Sequence, residues 1–195
     1  MVLARPSSDV VVEAARSPQG VTMAERDLRL EALFGAHYDF VWRSLRRLGV
    51  APANVDDATQ EVFVVAARRI CAIEPGKERA FLFGTALKIA SEARRTARRR
   101  PEAEAPSEVI DPRPGPEELA DQQRARALLD WVLDQLPLEP RAVFVLCELE
   151  GLTMAEAAEC LSLPPGTVAS RLRKGRQRFE ETVARLKASE ERRGR

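Results

Sequence analysis

Histidine is almost missing from this chain: His37 is the only one among 195 residues. The three cysteines, Cys71, Cys147 and Cys160, stand far apart, so no metal-ligand spacing and no nucleophile–base pair can be read from neighbours. A Gly-rich phosphate loop is missing too. The expectation is therefore no catalytic residue, no metal and no cofactor, hence not an enzyme, with the thiols read as small buried apolar groups. Aromatic residues make up only 5% of the chain, which favours thin helical bundles over sheets. No apolar run approaches the ~20 residues of a membrane span. Val10-Val11-Val12 is too short for the apolar core of a signal peptide, so a cytoplasmic protein is expected. A net charge of +1 gives no global field toward nucleic acid, and any basic surface must be local.

Such a surface occurs between Leu136 and Val183. Gly151 ends one helix, and Thr153 with Glu156 three residues later forms a capping box that starts the next. That short helix carries Ala157, Ala158 and Leu161, small residues where another helix can approach closely. Ser162-Leu163-Pro164 breaks it, and Pro165 suits the first turn of a new helix, where its missing N–H costs nothing. Val168, Leu172, Phe179, Val183 and Leu186 then recur at steps of three and four, with Gly175 on the same stripe, and predict the buried face. Ser170, Arg173, Lys174 and Gln177 point the other way, flanked by Arg171, Arg176 and Arg178. A short helix, a tight turn and a polar, basic second helix is how helix-turn-helix modules enter the DNA major groove.

The stretch LPLEPRAVFVLCELEGLTMAEAAECLSLPPGTVASRLRKGRQRF resembles the fourth conserved region of bacterial RNA polymerase sigma factors. Among these it is most similar to the small extracytoplasmic-function (ECF) group of the sigma-seventy family. Gly151, Thr153, Gly166-Thr167-Val168 and Ser170-Arg171-Leu172 carry the match. The resemblance implies an all-α fold of two small helical bundles joined by a flexible acidic Pro-rich linker, the second bundle holding the helix-turn-helix. It assigns recognition of the promoter −35 element to Thr167, Ser170, Arg171, Arg173, Lys174, Arg176, Gln177 and Arg178.

Residues 1–23 mix Pro, Ser, Gly and charges without period and read as a flexible extension. The first domain is expected over 24–100. Its first helix carries Leu28, Leu33, Phe34, Tyr38, Val41, Trp42, Leu45 and Leu48, and Gly49 and Pro52 end it. Asn54 is the expected N-cap of a second helix running to about Arg69, with acid in its first turn. A third spans about Glu78 to Arg100, buried along Leu82, Ala86, Ile89 and Ala93. Residues 101–116 hold five prolines and the acids Glu102, Glu104, Glu108 and Asp111 against Arg113, a composition that favours an extended linker. The helix-turn-helix domain is expected over 117–187, with Trp131 as an anchor of its first helix and 188–195 as a fraying tail.

This first half also resembles the family. Asp56–Arg69, DDATQEVFVVAARR, is similar to the sigma segment that grips the clamp helices of the largest polymerase subunit. Asp57, Gln60 and Glu61 share one helix side, and with Asp56 they form the expected core-polymerase-binding set. Phe81–Arg100 resembles the element that recognises and opens the −10 region, with Phe81, Lys88, Ser91, Arg95, Arg98 and Arg99 as its candidate DNA contacts. An exposed aromatic beside a basic ridge suits base stacking on a single strand. The family usually has Trp at Phe81, Asn at Lys88 and Asp at Glu92, so the −10 preference is not legible. The expected partners are core RNA polymerase (the beta-prime clamp helices and the beta subunit), promoter DNA and an anti-sigma factor, for a chain that is monomeric when free. Work on the nucleoid with polymerase would follow. The competing reading is a free-standing helix-turn-helix regulator acting without polymerase, which would normally dimerise.

Overall fold

The computed structural model describes residues 22–99 and 117–193. Within them the chain is helical. The first half comprises α1 (Met23–Leu48), α2 (Val55–Arg69) and α3 (Glu78–Arg99). The second comprises α4 (Glu117–Asp134), α5 (Leu138–Phe144), α6 (Met154–Leu161) and α7 (Pro165–Arg193). One π-helical turn, Val145–Leu149, continues α5. This is the expected all-α architecture of two helical bundles. Residues 1–21 of the expected extension 1–23, the acidic linker and the last two residues lie outside the described residues, while Thr22 and Met23 belong to the start of α1.

Each boundary has a local cause. Thr22 and Glu25 form a reciprocal capping box at the start of α1. Gly49, at φ 97°, closes α1 in the left-handed conformation that glycine adopts without penalty. Asn54 does hold the N-cap position of α2, but its side chain makes no capping bond there. The preceding 3₁₀ turn, Pro52–Asn54, leaves Asn54 with helical backbone angles, so Asp56 and Asp57 supply the favourable charge at that end. Thr153 and Glu156 form the predicted capping box on α6, and Pro165 opens α7.

In the first half Phe40, Val41, Leu45 and Leu48 of α1 pack with Val55, Val62 and Ala66 of α2 and Leu82, Phe83, Ala86 and Ala90 of α3. In the second, Ala142, Val143, Val145 and Leu146 pack with Val168 and Leu172 of α7, while Leu133 of α4 and Leu136 just beyond it pack with Phe144 and Phe179. Phe144 and Phe179 stack with ring centres 4.9 Å apart. Gly175 lets α7 lie close on α5, where a Cβ would meet the Pro140 carbonyl oxygen at 3.1 Å and the Phe144 Cβ at 3.2 Å.

Three expectations shift. Trp131 is no core anchor: it is 47% exposed, because α4 packs through Leu129, Val132 and Leu133, and Trp131 falls outside that arc. Leu28 is likewise exposed, lying well round the helix from Leu33. The expected tail is helical through Arg193, its turns supported by Arg185 and Arg192 side chains donating to the carbonyls of Glu181 and Ala188.

The two bundles also abut. One continuous buried cluster runs from Leu33 of α1 to Leu172 of α7. The contact is made mainly by α3 on α6 and by the C-terminal end of α1 on α4 and α5.

Candidate nucleic-acid interface

The helix-turn-helix is built from α6, a turn through Ser162-Leu163-Pro164, and α7. Ser162 takes a left-handed backbone, φ 52°, and the amide of Leu163 closes on the Ala158 carbonyl at 2.9 Å. This fixes the angle at which α7 leaves. Ala157 and Ala158 are buried, as close helix approach requires. Glu156 is fully solvent-facing, yet its hydrogen bonds from the backbone and hydroxyl of Thr153 hold its carboxyl below the usual range.

With Val168, Leu172 and Gly175 turned inward, Ser170, Arg173, Lys174 and Gln177 are exposed on the opposite side of α7. Thr167 and Arg171 are half-buried at the margins. The candidate residues divide by what they already touch. Ser170 donates to the Thr167 carbonyl at 2.9 Å, Gln177 to Glu181 at 2.9 Å, and Arg178 pairs with Glu181 at 3.5 Å. Arg176 makes two bonds to one Glu148 oxygen, at 2.9 and 2.6 Å. Arg173 lines a shallow groove with Met154, Ala169 and Leu172, between the start of α6 and α7.

On α3 the ridge Lys88, Ser91, Arg95 and Arg99 is exposed, at the helical spacing that gives one face. The side chain of Arg98 lies outside the described residues. Phe81 does not stand free: it is half-buried in a crevice lined by Ile73, Lys77 and Ala80 of the first half and by Glu159 and Cys160 of α6. One wall of that crevice is thus supplied by the second bundle. Arg94, one position before Arg95, points the other way, donating to the Leu48 carbonyl at 3.4 Å and lying 3.7 Å from Asp134.

On α2, Asp57, Gln60 and Glu61 are all exposed, and Val64, 48% exposed, continues their row. Asp56 is engaged at home: its carboxylate accepts the Trp42 indole N–H at 2.8 Å.

Two residues that pattern-reading passed over hold the seam between the bundles. Arg141 is completely buried. It donates to the Arg47 carbonyl at the end of α1 and to Asp134 at 2.6 Å, placing a cation where the α1 dipole is negative. Burial lowers its pKa, against the pull of Asp134. Glu150, its side chain 5% exposed, meets Arg43 at 3.4 Å, Arg79 at 3.8 Å and Arg47 more closely still. Burial lowers the Arg47 pKa as well, and the Glu150 charge opposes that. Nothing local distinguishes these two from surface charges; only a partner distant in sequence does. Burial likewise raises the Cys147 and Cys160 thiols.

Comparison with known proteins bears on these faces. Residues 33–100 match the family described as Sigma-70 region 2, and residues 126–179 match Sigma-70, region 4. The ECF RNA polymerase sigma factor SigE of Mycolicibacterium smegmatis is 34% identical over 158 residues, which is 80% of this chain and 62% of that protein. The chain thus matches somewhat under two thirds of the length of that relative. The ECF RNA polymerase sigma factor SigL of Mycobacterium tuberculosis is 30% identical over 155 residues, 78% of this chain and 87% of that one. Among solved structures, CnrH in complex with the cytosolic domain of CnrY matches with TM-score 0.62 at 22% identity, covering 83% of this chain and 97% of that one. The sigma factor RpoE in complex with the anti-sigma factor NepR, from Bartonella quintana, matches with TM-score 0.60 at 21% identity, covering 82% and 98%. At those identities the two structures speak to the fold.

Proposed function

The chain belongs to the extracytoplasmic-function group of RNA polymerase sigma factors, and from that premise we propose that it confers promoter specificity on bacterial core polymerase. The observation that carries the reading is the exposed polar and basic row of α7, set by a capped α6 and a tight turn, on a chain that also presents an acidic row on α2. A helix-turn-helix alone would need only the first.

In this reading Asp57, Gln60 and Glu61 dock the basic side of a partner helix on core polymerase, with Val64 adding apolar contact and Asp56 steadied by Trp42. Lys88, Ser91, Arg95 and Arg99 face the −10 DNA, and Phe81 joins them once its crevice opens. Arg173, Lys174 and Ser170 meet base edges of the −35 element, while Arg171, Arg176 and Arg178 sit on phosphates. The protein acts in the cytoplasm on nucleoid DNA, as a binding subunit with no chemistry of its own and monomeric when free. RpoE is known with an anti-sigma factor, and a protein of that kind is a further candidate partner here.

The test is co-elution with core polymerase on a sizing column, followed by transcription from selected promoters. Charge reversal at Asp57 and Glu61 should abolish co-elution. A chain that stays apart from polymerase yet binds duplex operators as a dimer would replace this reading with the free-standing regulator.

A further inference from the structure

The seam between the bundles is electrically lopsided. From the first half, Arg43, Arg46, Arg47, Arg79, Arg94 and Lys77 face it; from the second, the acids Asp130, Asp134, Glu150 and Glu159 meet them. Among the described residues, then, six cations of one half are answered by four acids of the other. Arg141 does not redress the balance, since it adds a further cation from the second half. Glu150 is the extreme case, one carboxylate among three guanidinium groups. Five of the six cations are arginine, whose planar fork suits carboxylate and phosphate alike.

This geometry cannot persist on a promoter, if the reading above holds. Elements centred at −10 and −35 lie about 25 base pairs apart, roughly 85 Å along the duplex. Here α3 rests directly on α6, the neighbour of α7 in the helix-turn-helix. The halves must therefore part before both elements can be read, and parting removes the acids from the cationic face.

We propose that this arginine face is a binding surface for DNA backbone phosphates, and that Glu150, with Asp130 and Asp134, occupies it in the free protein and so latches the molecule shut. The acids stand where phosphates go, and a row of phosphates supplies the negative charge that four carboxylates leave short. The face carries no base-reading geometry, so its contribution is the same for any sequence.

The test needs neither polymerase nor a promoter, so its outcome is independent of the promoter reading. Wild type and Glu150→Gln are compared by small-angle scattering and by fluorescence anisotropy with a short duplex of random sequence. Glu148→Gln is the control, because it removes the same charge two residues away but its ion pair is with Arg176 of its own half. Glu150→Gln should expand the molecule and bind the random duplex about ten-fold more tightly than the control does, a change equal to 1.4 kcal/mol. Adding Arg43→Gln and Arg79→Gln to it should remove the gain. A helical Glu150→Gln that stays as compact as wild type overturns the latch. Expansion without tighter binding, or a gain that survives loss of both arginines, overturns the phosphate site. Should Glu150→Gln fail to fold, Arg43→Glu decides, since the side chain is 45% exposed and opposes Glu150 directly. It should expand the molecule, and a compact Arg43→Glu overturns the latch.

Discussion

Helices α3 and α7 are both long, amphipathic and arginine-rich, yet they use their charge differently. On α7 the cations surround a single exposed side, and Arg176 and Arg178 pair with acids of their own half. On α3 the charge is split: Lys88 and Arg95 face solvent, while Arg79 and Arg94 reach across the seam to Glu150 and Asp134. The same contrast appears at residue scale on the turn after α5. Glu148 holds Arg176 locally, whereas Glu150, two residues on, gathers three arginines from the other bundle. A basic helix is thus one kind of object when its cations face solvent, and another when some of them are structural.

The sharpest way to break this division is at the structural cations. Arg141→Ala should cost about 3 kcal/mol of stability, through lost packing and an unpaired Arg47 carbonyl in the seam. Denaturant unfolding would read this directly, and a loss within the range of surface substitutions would mean that Arg141 is not holding the bundles. Gly49→Ala should cost about 2 kcal/mol, from the left-handed backbone alone. The new Cβ would also stand 2.7 Å from an Arg94 nitrogen and 2.9 Å from an Arg141 nitrogen, so both guanidinium groups must move.

At the cations proposed to face DNA the expected pattern inverts. Arg173→Ala should leave stability within about 0.5 kcal/mol of wild type. It should relax discrimination between a matched and a scrambled −35 element by about 1–2 kcal/mol, measured with the polymerase complex. Arg178→Ala should weaken all sequences alike and lower the salt slope by about one. Equal losses on matched and scrambled elements for Arg173→Ala would move that residue from base edge to backbone.

How legible was this from the sequence? The helix-turn-helix was, because every signal for it is local: the Thr153–Glu156 box, the Pro165 start, and the spacing of Val168, Leu172 and Gly175. The Thr22–Glu25 box that opens α1 was equally local and could have been read by the same rule. Asn54 holds the expected N-cap position, but that its side chain makes no capping bond is visible only in three dimensions, since a 3₁₀ turn sets its backbone. Trp131 is large yet exposed, because an indole can lie on the outer side of a helix whose neighbours do the packing. The seam was not legible at all. Arg47 and Glu150 are 103 residues apart, and no period in either helix marks them as partners. Whether Phe81 is open to a base or shut in a crevice depends on the same long-range contact.

The smallest expected effect tests whether the reading helix is positioned from its own cap or from the seam. Thr153→Ala should cost about 1 kcal/mol, the ordinary worth of such an N-cap. The pH dependence identifies the source. Glu156 ionises more readily when folded than when unfolded, so its contribution is fully present above the ordinary glutamate value and is lost as pH falls through its lowered folded value. The stability gap between wild type and Thr153→Ala should accordingly narrow on acidification, and so should the gap to Glu156→Gln. A Thr153→Ala gap that is flat with pH would mean that α6 is held in place by α3 and the seam, with the capping box contributing little to the pose of α7.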